Sequence, residues 1–334
     1  MSLVRAGPAF LIAAGVALGS SWLLVSRLER LGERLGLSEA LLGVLAALAA
    51  DAPEITAAAT ALRHGQAEVG AGVVLGSCPF NLAALLGLGA VVAGQIRLHR
   101  RVVAFEGGVA VALTVVALWT VRGDVAAGAG LSLSLVILFA YLLVLGMGLK
   151  GRRVPGPIRV ARWLQAAAAE EEAEMEEGLL PPRGRPVDAA VAAVSLVVVV
   201  VSSVVMEHAA VSLGHSWSVP DIVIGALVLG AVTSLPNTVA AIYLVRRGRG
   251  AATFSTALNS NNLNIVAGLL IPAVILGISQ PSGQSELVAA WCAGLTVLTI
   301  ALSYLGRGLS RAAGWGIIAG YVAFAASVVA SGIA

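Results

Sequence analysis

The sequence predicts an all-α polytopic membrane protein whose ten transmembrane helices form a 5+5 inverted-topology repeat. Three observations predict this fold: an apolar composition, a regular series of long apolar runs, and a pattern of polar residues that recurs in both halves. Of the 334 residues, 58% are hydrophobic and only 12% are charged, and the mean hydropathy is +0.93. These are too few polar side chains to cover a soluble globule of this size, so most of the surface must face lipid.

Each predicted span is an apolar run long enough to cross a hydrocarbon core of roughly 30 Å, which takes about 20 helical residues. Short charged links separate the runs. The predicted spans are 8–26, 40–62, 69–94, 102–121, 125–148, 188–206, 219–245, 252–278, 285–305 and 312–333. They divide the chain into a first repeat at 1–148, an acidic linker at 149–187 and a second repeat at 188–334.

The basic residues of the links predict the orientation of the chain. With ten spans, 18 of the 21 Lys and Arg residues fall in links on one face, and only Arg5, Arg63 and Arg122 fall on the other. Short loops rich in Lys and Arg stay in the cytoplasm. We therefore expect an inner or plasma membrane protein with both termini outside and the central linker in the cytoplasm. We interpret this linker as a solvated, partly helical segment rather than a regulatory domain.

An internal repeat relates the two halves. A shift of 183 residues aligns six pairs of positions, and Pro, Arg and Asn, which occur among them, are scarce within these spans. The pairs are Pro53 with Pro236, Glu54 with Asn237, Arg63 with Arg246, Gly65 with Gly248, Ser77 with Ser260, and Asn81 with Asn264. Because each half has five spans, an odd number, the second half enters the membrane in the opposite orientation. Inverted repeats of this kind place a transporter's substrate site near the bilayer midplane, between the halves.

Helix interruptions mark the predicted site. The second span is broken at residues 51–54 and the seventh at residues 233–237. Pro53 and Pro236 each remove a backbone donor and disturb the preceding turn. Carbonyl oxygens at mid-membrane depth then lack an intrahelical partner. Such oxygens can bind a dehydrated cation.

Asp51 and Glu54 carry the strongest functional signal in the sequence. A carboxylate at the bilayer centre costs at least about 2.5 kcal/mol, and no Lys or Arg lies within any of the ten predicted spans. A bound cation or protons remain as ways to neutralise the pair. Their spacing puts both on one helix face, and carboxylate oxygens suit hard cations such as Na⁺ and Ca²⁺. A pair of protonated, purely structural carboxyls is the alternative interpretation.

Two polar pairs in the third and eighth spans complete the candidate site. Ser77 and Asn81, and their counterparts Ser260 and Asn264, each have an i, i+4 spacing and so share a helix face. Small polar residues in membrane helices often serve close packing, but the equivalence of these pairs across the repeat favours ion binding. Glu106 has no repeat counterpart and is left outside the site.

The histidines predict no metal centre. They lie in or near links, and no metal-ligand spacing connects them. They are His64, His99, His208 and His215.

At these residues the sequence resembles the sodium/calcium exchanger family, cation/Ca²⁺ antiporters whose two α-repeats carry a G-T-S-L-P-E type motif followed by G-N-x-x-G-S-N-x-x-N or D. The matching residues lie within about 49–81 and 230–264. The resemblance implies crossed helix pairs around Na⁺ and Ca²⁺ sites, with spans one and six sliding past a rigid remainder. It also implies a set of ion ligands or site-lining groups: Glu54, Ser77, Asn81, Thr233, Ser234 and Ser260.

The sequence departs from the family motif within the site itself. Asn237 stands where the family has an acidic residue, Asn264 where many members carry Asp, and Asp51 where the family usually has Ser. Cys78 and Pro79 also replace the expected Asn and its apolar neighbour. One carboxylate has in effect moved from the second repeat into the first. The predicted site therefore adds Asp51, Asn237 and Asn264, and its charge of −2 suits one Ca²⁺, two Na⁺, or a cation exchanged for protons.

The predicted function is a secondary active cation antiporter of the sodium/calcium exchanger type, not an enzyme and without a cofactor. Its partners are the lipid bilayer and small inorganic cations, Na⁺ and Ca²⁺ first; no nucleic acid is expected, and no oligomeric state is predicted. One alternative is a cation/proton antiporter in which Asp51 and Glu54 exchange protons. Others are a degenerate homologue that binds ions without transporting them, and an intramembrane hydrolase that uses the same two acids.

Overall fold

The computed structural model describes residues 3–35, 47–149, 161–167, 185–246, 248–277 and 282–333. These ranges are almost entirely helical. The helices are α1 Leu3–Leu35, α2 Ala52–Arg63, α3 Ala67–Ala93, α4 Arg100–Val121, α5 Ala127–Leu149, α6 Pro186–Ser216, α7 Asp221–Thr233, α8 Leu235–Arg246, α9 Gly250–Leu276, α10 Gly283–Gly306 and α11 Arg311–Ile333. Residues 47–50 and 161–167 are also helical.

Eight of the described helices are long and apolar enough to cross a membrane: α1, α3, α4, α5, α6, α9, α10 and α11. The pair α7 and α8, bent by 42° at the break between them, is a ninth candidate. These helices correspond in order to nine of the ten predicted spans. The remaining span, 40–62, falls partly on residues 36–46, which lie outside the described residues.

The predicted first and sixth spans, 8–26 and 188–206, are shorter than the helices that contain them. α1 continues to Leu35 and α6 to Ser216. Hydropathy detects only the apolar part of a helix, whereas hydrogen bonding along the backbone continues through polar ends. As a result, Glu207 and His208, which follow the predicted sixth span, lie within α6 rather than in the link after it.

The centre of the bundle is formed by α3 and α9. In the most apolar stretch of each helix, 89% of the residues of α3 and 72% of those of α9 are buried, compared with 28% in α1 and 22% in α11. Helices in lipid associate through close van der Waals packing of small residues rather than through a hydrophobic effect. The Gly- and Ala-rich sequences of α3 and α7 are therefore what lets these two helices approach each other.

Gly76 is a point of close approach between α3 and α7. A Cβ atom at this position would overlap the backbone of Ala226, so Gly76→Ala must push the helices apart. Overpacking of this kind costs about 1–3 kcal/mol. We expect a lower midpoint temperature of unfolding for the purified protein in detergent. Gly108→Ala in α4 is the matched control, since a Cβ atom there meets nothing within 4 Å; equal midpoints for the two variants would contradict the close crossing.

The two predicted helix interruptions lie at Asp51 and Ser234. Asp51 separates residues 47–50 from α2, and Ser234 separates α7 from α8. The dihedral angles φ and ψ are −85° and −3° at Asp51, and −85° and −2° at Ser234. Pro53 stands in the first turn of α2, where the missing N–H has no intrahelical role.

One of the carbonyls freed by the first interruption has a partner in α1. The Ala49 carbonyl, four residues before Pro53, accepts a hydrogen bond from Ser21 Oγ at 3.2 Å, and the Ala50 carbonyl is 3.3 Å from the same hydroxyl. The expectation that such carbonyls are available to a cation is therefore qualified at this break, because Ser21 of α1 already donates to the Ala49 carbonyl.

A short antiparallel ladder joins two links from different halves of the chain. Strand β1, Gln95–Arg97, pairs with β2, Gly308–Ser310, with Ile96 opposite Leu309. Gly308 has a φ of +122°, and a Cβ there would overlap the Ile96 carbonyl. Only glycine therefore allows the two strands to come this close.

Between its two ends, at residue 149 and residues 185–187, the central linker is described at residues 161–167, and its acidic run lies outside the described residues. This helical segment packs against α4 and α5, where Ala167 is buried beside Phe105, Tyr141 and Leu145. Part of the linker is therefore attached to the bundle.

Candidate functional site

The candidate site forms where the break before α2 meets α3, α9 and the break between α7 and α8. Asp51 and Glu54 are both fully buried there. The side chains that reach them come from the two interruptions and from α9. The two proline-containing breaks thus face each other across the bundle rather than opening to lipid.

Asp51 accepts hydrogen bonds from the second half of the chain. Its Oδ1 atom lies 2.7 Å from Ser260 Oγ and 2.8 Å from Asn237 Nδ2. Its Oδ2 atom has no hydrogen-bond partner among the described residues. One oxygen of this buried carboxylate therefore remains free to bind a cation.

Glu54 is held by neutral donors on both oxygens. Ser234 Oγ donates to Oε1 and Asn264 Nδ2 donates to Oε2. The residues that orient Glu54 thus come from α9 and from the break between α7 and α8.

Asn81 extends the site along α3. Its Nδ2 atom donates to Asn261 Oδ1 at 3.0 Å and lies 3.4 Å from Ser260 Oγ. Asn261 was not among the predicted site residues, although the Ser260-Asn261 pair fits the family motif. Its own amide lies 3.3 Å from Cys78 Sγ, so Cys78, which stands where the family motif has Asn, contacts the amide that partners Asn81.

Ser77 and Thr233 are predicted site residues whose hydroxyls donate to backbone carbonyls of their own helices. Ser77 Oγ donates to the Val74 carbonyl at 2.9 Å within α3. Thr233 Oγ1 makes a similar bond to the Leu229 carbonyl at 2.8 Å. Ser77 is buried on α3 beside Gly230 of α7, so in this arrangement it lines the site without contacting a carboxylate.

Three buried oxygens in the site have no hydrogen-bond partner within the described ranges: Asp51 Oδ2, Asn81 Oδ1 and Asn264 Oδ1. All three are acceptors, and leaving a buried acceptor unsatisfied costs about 1–3 kcal/mol. Carboxylate, amide and hydroxyl oxygens form the donor set that Na⁺ and Ca²⁺ prefer. The residues present therefore fit a hard cation.

Glu106 belongs to a separate polar cluster between α4 and α9. Its Oε1 atom accepts from Ser255 Oγ at 2.5 Å, and Asn259 Nδ2 lies 3.2 Å from Ser255 Oγ and 3.3 Å from the Tyr141 hydroxyl. Ser255 precedes Ser260 by more than one helical turn, so this glutamate lies outside the site around Asp51.

Comparison with protein families gives a match to the model described as sodium/calcium exchanger protein, over residues 7–148 and 187–330. Inner membrane protein YrbG of Escherichia coli (strain K12) is 26% identical over 224 residues, which are 67% of this chain and 65% of that protein. Sodium/potassium/calcium exchanger 4 of Homo sapiens is 31% identical over 74 residues, which are 22% of this chain and 12% of that protein. Both matches span less than two thirds of the relative's length.

Solved structures share the fold over nearly the whole chain. The crystal structure of the H⁺/Ca²⁺ exchanger CAX has a TM-score of 0.72 at 14% identity and covers 98% of this chain and 86% of its own. The sodium-calcium exchanger NCX_Mj, soaked with zero Na⁺ and Ca²⁺, has a TM-score of 0.60 at 19% identity and covers 98% of this chain and 100% of its own. At these identities the likeness shows the fold alone.

Proposed function

Since the chain belongs to the sodium/calcium exchanger family, a family of transporters rather than enzymes, we propose that it is a secondary active cation antiporter. The proposed site is the one around Asp51 and Glu54. One observation carries the proposal: two fully buried carboxylates share a pocket of oxygen ligands with three unsatisfied acceptors. The proposed ligand set is Asp51, Glu54, Ser77, Asn81, Thr233, Ser234, Asn237, Ser260 and Asn264.

The proposed architecture is ten spans in two inverted repeats, 1–148 and 188–334, joined by the linker at 149–187. Backbone features at the same 183-residue shift support it. Gly65 and Gly248 have φ of +75° and +78°, and Gly94 and Gly277 have φ of +83° and +82°. A π-helical stretch begins directly after Asn81 in α3, and another begins at Asn264 in α9.

The proposed topology has both termini outside and the linker in the cytoplasm. Contacts between links support the assignment of faces. Strands β1 and β2 pair with each other and both belong to links assigned to the cytoplasmic face. Arg27 and Asp188, assigned to that face as well, form an ion pair at 2.8 Å.

Charge balance explains why such a site would exchange rather than leak. An unloaded site carries two negative charges in a water-poor interior, and buried charges without a partner are costly. A site loaded with one Ca²⁺ or two Na⁺ is neutral overall. The protein therefore switches between its outward-open and inward-open conformations far more readily when a cation is bound. Because the empty site cannot make this switch easily, the inward movement of one ion is coupled to the outward movement of another.

Proton exchange is the second candidate. Asp51 and Glu54 are hydrogen-bonded only to neutral groups in the contacts described above. Two protons would therefore neutralise the site as well as a cation would. In that version Ca²⁺ or another small cation binds on one side and protons return on the other.

The deciding measurement is ⁴⁵Ca²⁺ uptake into proteoliposomes under three internal conditions: Na⁺, choline at the same pH, and choline at lower pH. Uptake that requires internal Na⁺ is expected for the first version, and uptake driven by the acidic interior for the second. Absence of uptake in all three, with Ca²⁺ still bound by the purified protein, would instead identify a homologue that binds ions without transporting them.

A further inference from the structure

Two histidines and a glutamate meet where α2 packs against α6. His64 caps the C-terminal end of α2, and Glu207 and His208 lie in α6. One ligand atom from each of the three residues lies within 4.8 Å of the others. The histidine spacing predicted no such cluster, because His64 and His208 are distant in the sequence and Glu207 follows an apolar run.

Both histidines are positioned to offer a ring nitrogen. His64 Nδ1 lies 2.8 Å from the Thr60 carbonyl, a contact that requires Nδ1 to carry the hydrogen and leaves the Nε2 lone pair available. Metal-binding histidines commonly have their second nitrogen fixed in this way. His208 Nε2 lies 3.7 Å from Glu207 Oε2, and the two imidazole rings are 4.8 Å apart.

Glu207 is the independent indication that this cluster binds a cation. Its side chain is 0% exposed, whereas that of His208 is 51% exposed. Neither carboxylate oxygen has a hydrogen-bond partner in the part of the chain that the structure describes. A buried carboxylate without a hydrogen bond is costly, and a cation coordinated by its oxygens removes that cost.

We propose that His64, Glu207 and His208 form a binding site for a transition-metal dication of the Zn²⁺ class. Imidazole nitrogen and carboxylate oxygen are Zn²⁺ ligands, and water completes a tetrahedral site. The mixed nitrogen and oxygen set distinguishes this site from the all-oxygen site at Asp51. A tetrahedral Zn²⁺ ion holds its ligand atoms about 3.4 Å apart, so the three side chains draw together slightly on binding, and the exposed histidines let the ion enter from solvent.

The bound ion would join two helices that have different roles. α2 carries Glu54 and begins directly after Asp51, whereas α6 packs along α1 at the lipid-facing side of the bundle. A metal held by one residue of α2 and two of α6 resists relative movement of these helices. It follows, and this step rests on the proposed function, that Zn²⁺ slows cation exchange when it is added on the face of the membrane where His64 is exposed.

Zinc titration of the purified protein tests the site, with a fluorescent zinc indicator as competitor. We expect one Zn²⁺ per chain and an affinity at least about tenfold weaker in His64→Ala, His208→Ala and Glu207→Gln. His215→Ala is the control, because His215 is also an exposed α6 histidine but binds Asp221 at 2.7 Å. Equal affinity in the wild type and a His64→Ala/His208→Ala double variant, or an equal loss in His215→Ala, would overturn the proposal.

The titration involves no transport, so its failure is separable from failure of the proposed function. Unfolding midpoints without Zn²⁺ show whether each variant is folded, and added Zn²⁺ is expected to raise the midpoint of the wild type but not of His64→Ala. In proteoliposomes, Zn²⁺ is expected to slow ⁴⁵Ca²⁺ uptake by the wild type and not by His64→Ala. Zinc that binds at the site but leaves uptake unchanged would overturn the bridging of α2 and α6.

Discussion

Glu54→Gln is expected to reduce cation exchange by at least about 100-fold, which corresponds to about 2.7 kcal/mol of lost stabilisation. The substitution removes one of the two negative charges of the site. It also places an amide NH₂ where a carboxylate oxygen accepts from Ser234 or Asn264, so a donor would face a donor. The measurement is the initial rate of ⁴⁵Ca²⁺ uptake into proteoliposomes containing equal amounts of protein.

Glu68→Gln provides the matched control for this prediction. Glu68 lies in the first turn of α3, is half-buried and takes no part in the contacts around Asp51. The same change of charge and shape is made there without altering the site. If Glu54→Gln keeps more than half of the wild-type rate, or if both variants lose activity equally, Glu54 is not a ligand of the transported ion.

Asp51→Asn is expected to cause a comparable loss, and adding Asn237→Asp is expected to recover most of it. Asp51 Oδ1 and Asn237 Nδ2 are 2.8 Å apart, so the exchange moves the negative charge only across one hydrogen bond and restores a site charge of −2. We expect the double variant to transport within about tenfold of the wild type, a difference of about 1.4 kcal/mol. The measurement is the initial rate of ⁴⁵Ca²⁺ uptake by the wild type, Asp51→Asn and the double variant, with the internal solution that supports uptake by the wild type.

The rescue separates a charge requirement from a structural one. Asn237→Asp alone would bring two carboxylates together in a buried site, where like charges repel, and it is expected to slow exchange. A double variant no more active than Asp51→Asn would show that the position of the carboxylate, rather than the total charge, is required.

Hydropathy was sufficient to predict nine spans that match long apolar helices, and the paired polar positions predicted residues that the structure brings together around Asp51 and Glu54. An apolar run of about 20 residues is a local property, and the paired polar positions recur at a constant shift. Ion identity does not follow from either signal, since Asn237 and Asn264 replace acids while Asp51 adds one.

The features that sequence reasoning missed all depend on contacts between distant segments. Ser21 of α1 reaches the Ala49 carbonyl, which Pro53 leaves without an intrahelical donor, and no periodicity connects those positions. Asn261 adjoins a predicted ligand, but its contact with Asn81 depends on how α3 crosses α9. Glu207 was hidden by the polar continuation of α6 beyond its apolar part, where hydropathy ends the span too early.

The β1–β2 ladder supplies a fixed reference frame for measuring motion in this protein. Its backbone hydrogen bonds tie the link between α3 and α4 to the link between α10 and α11, and the close contact at Gly308 leaves little room for the strands to slide. Spectroscopic labels near these links should keep constant separations through a transport cycle. Distance changes between such a label and one on α1 or α6 could then be assigned to displacement of the outer helices.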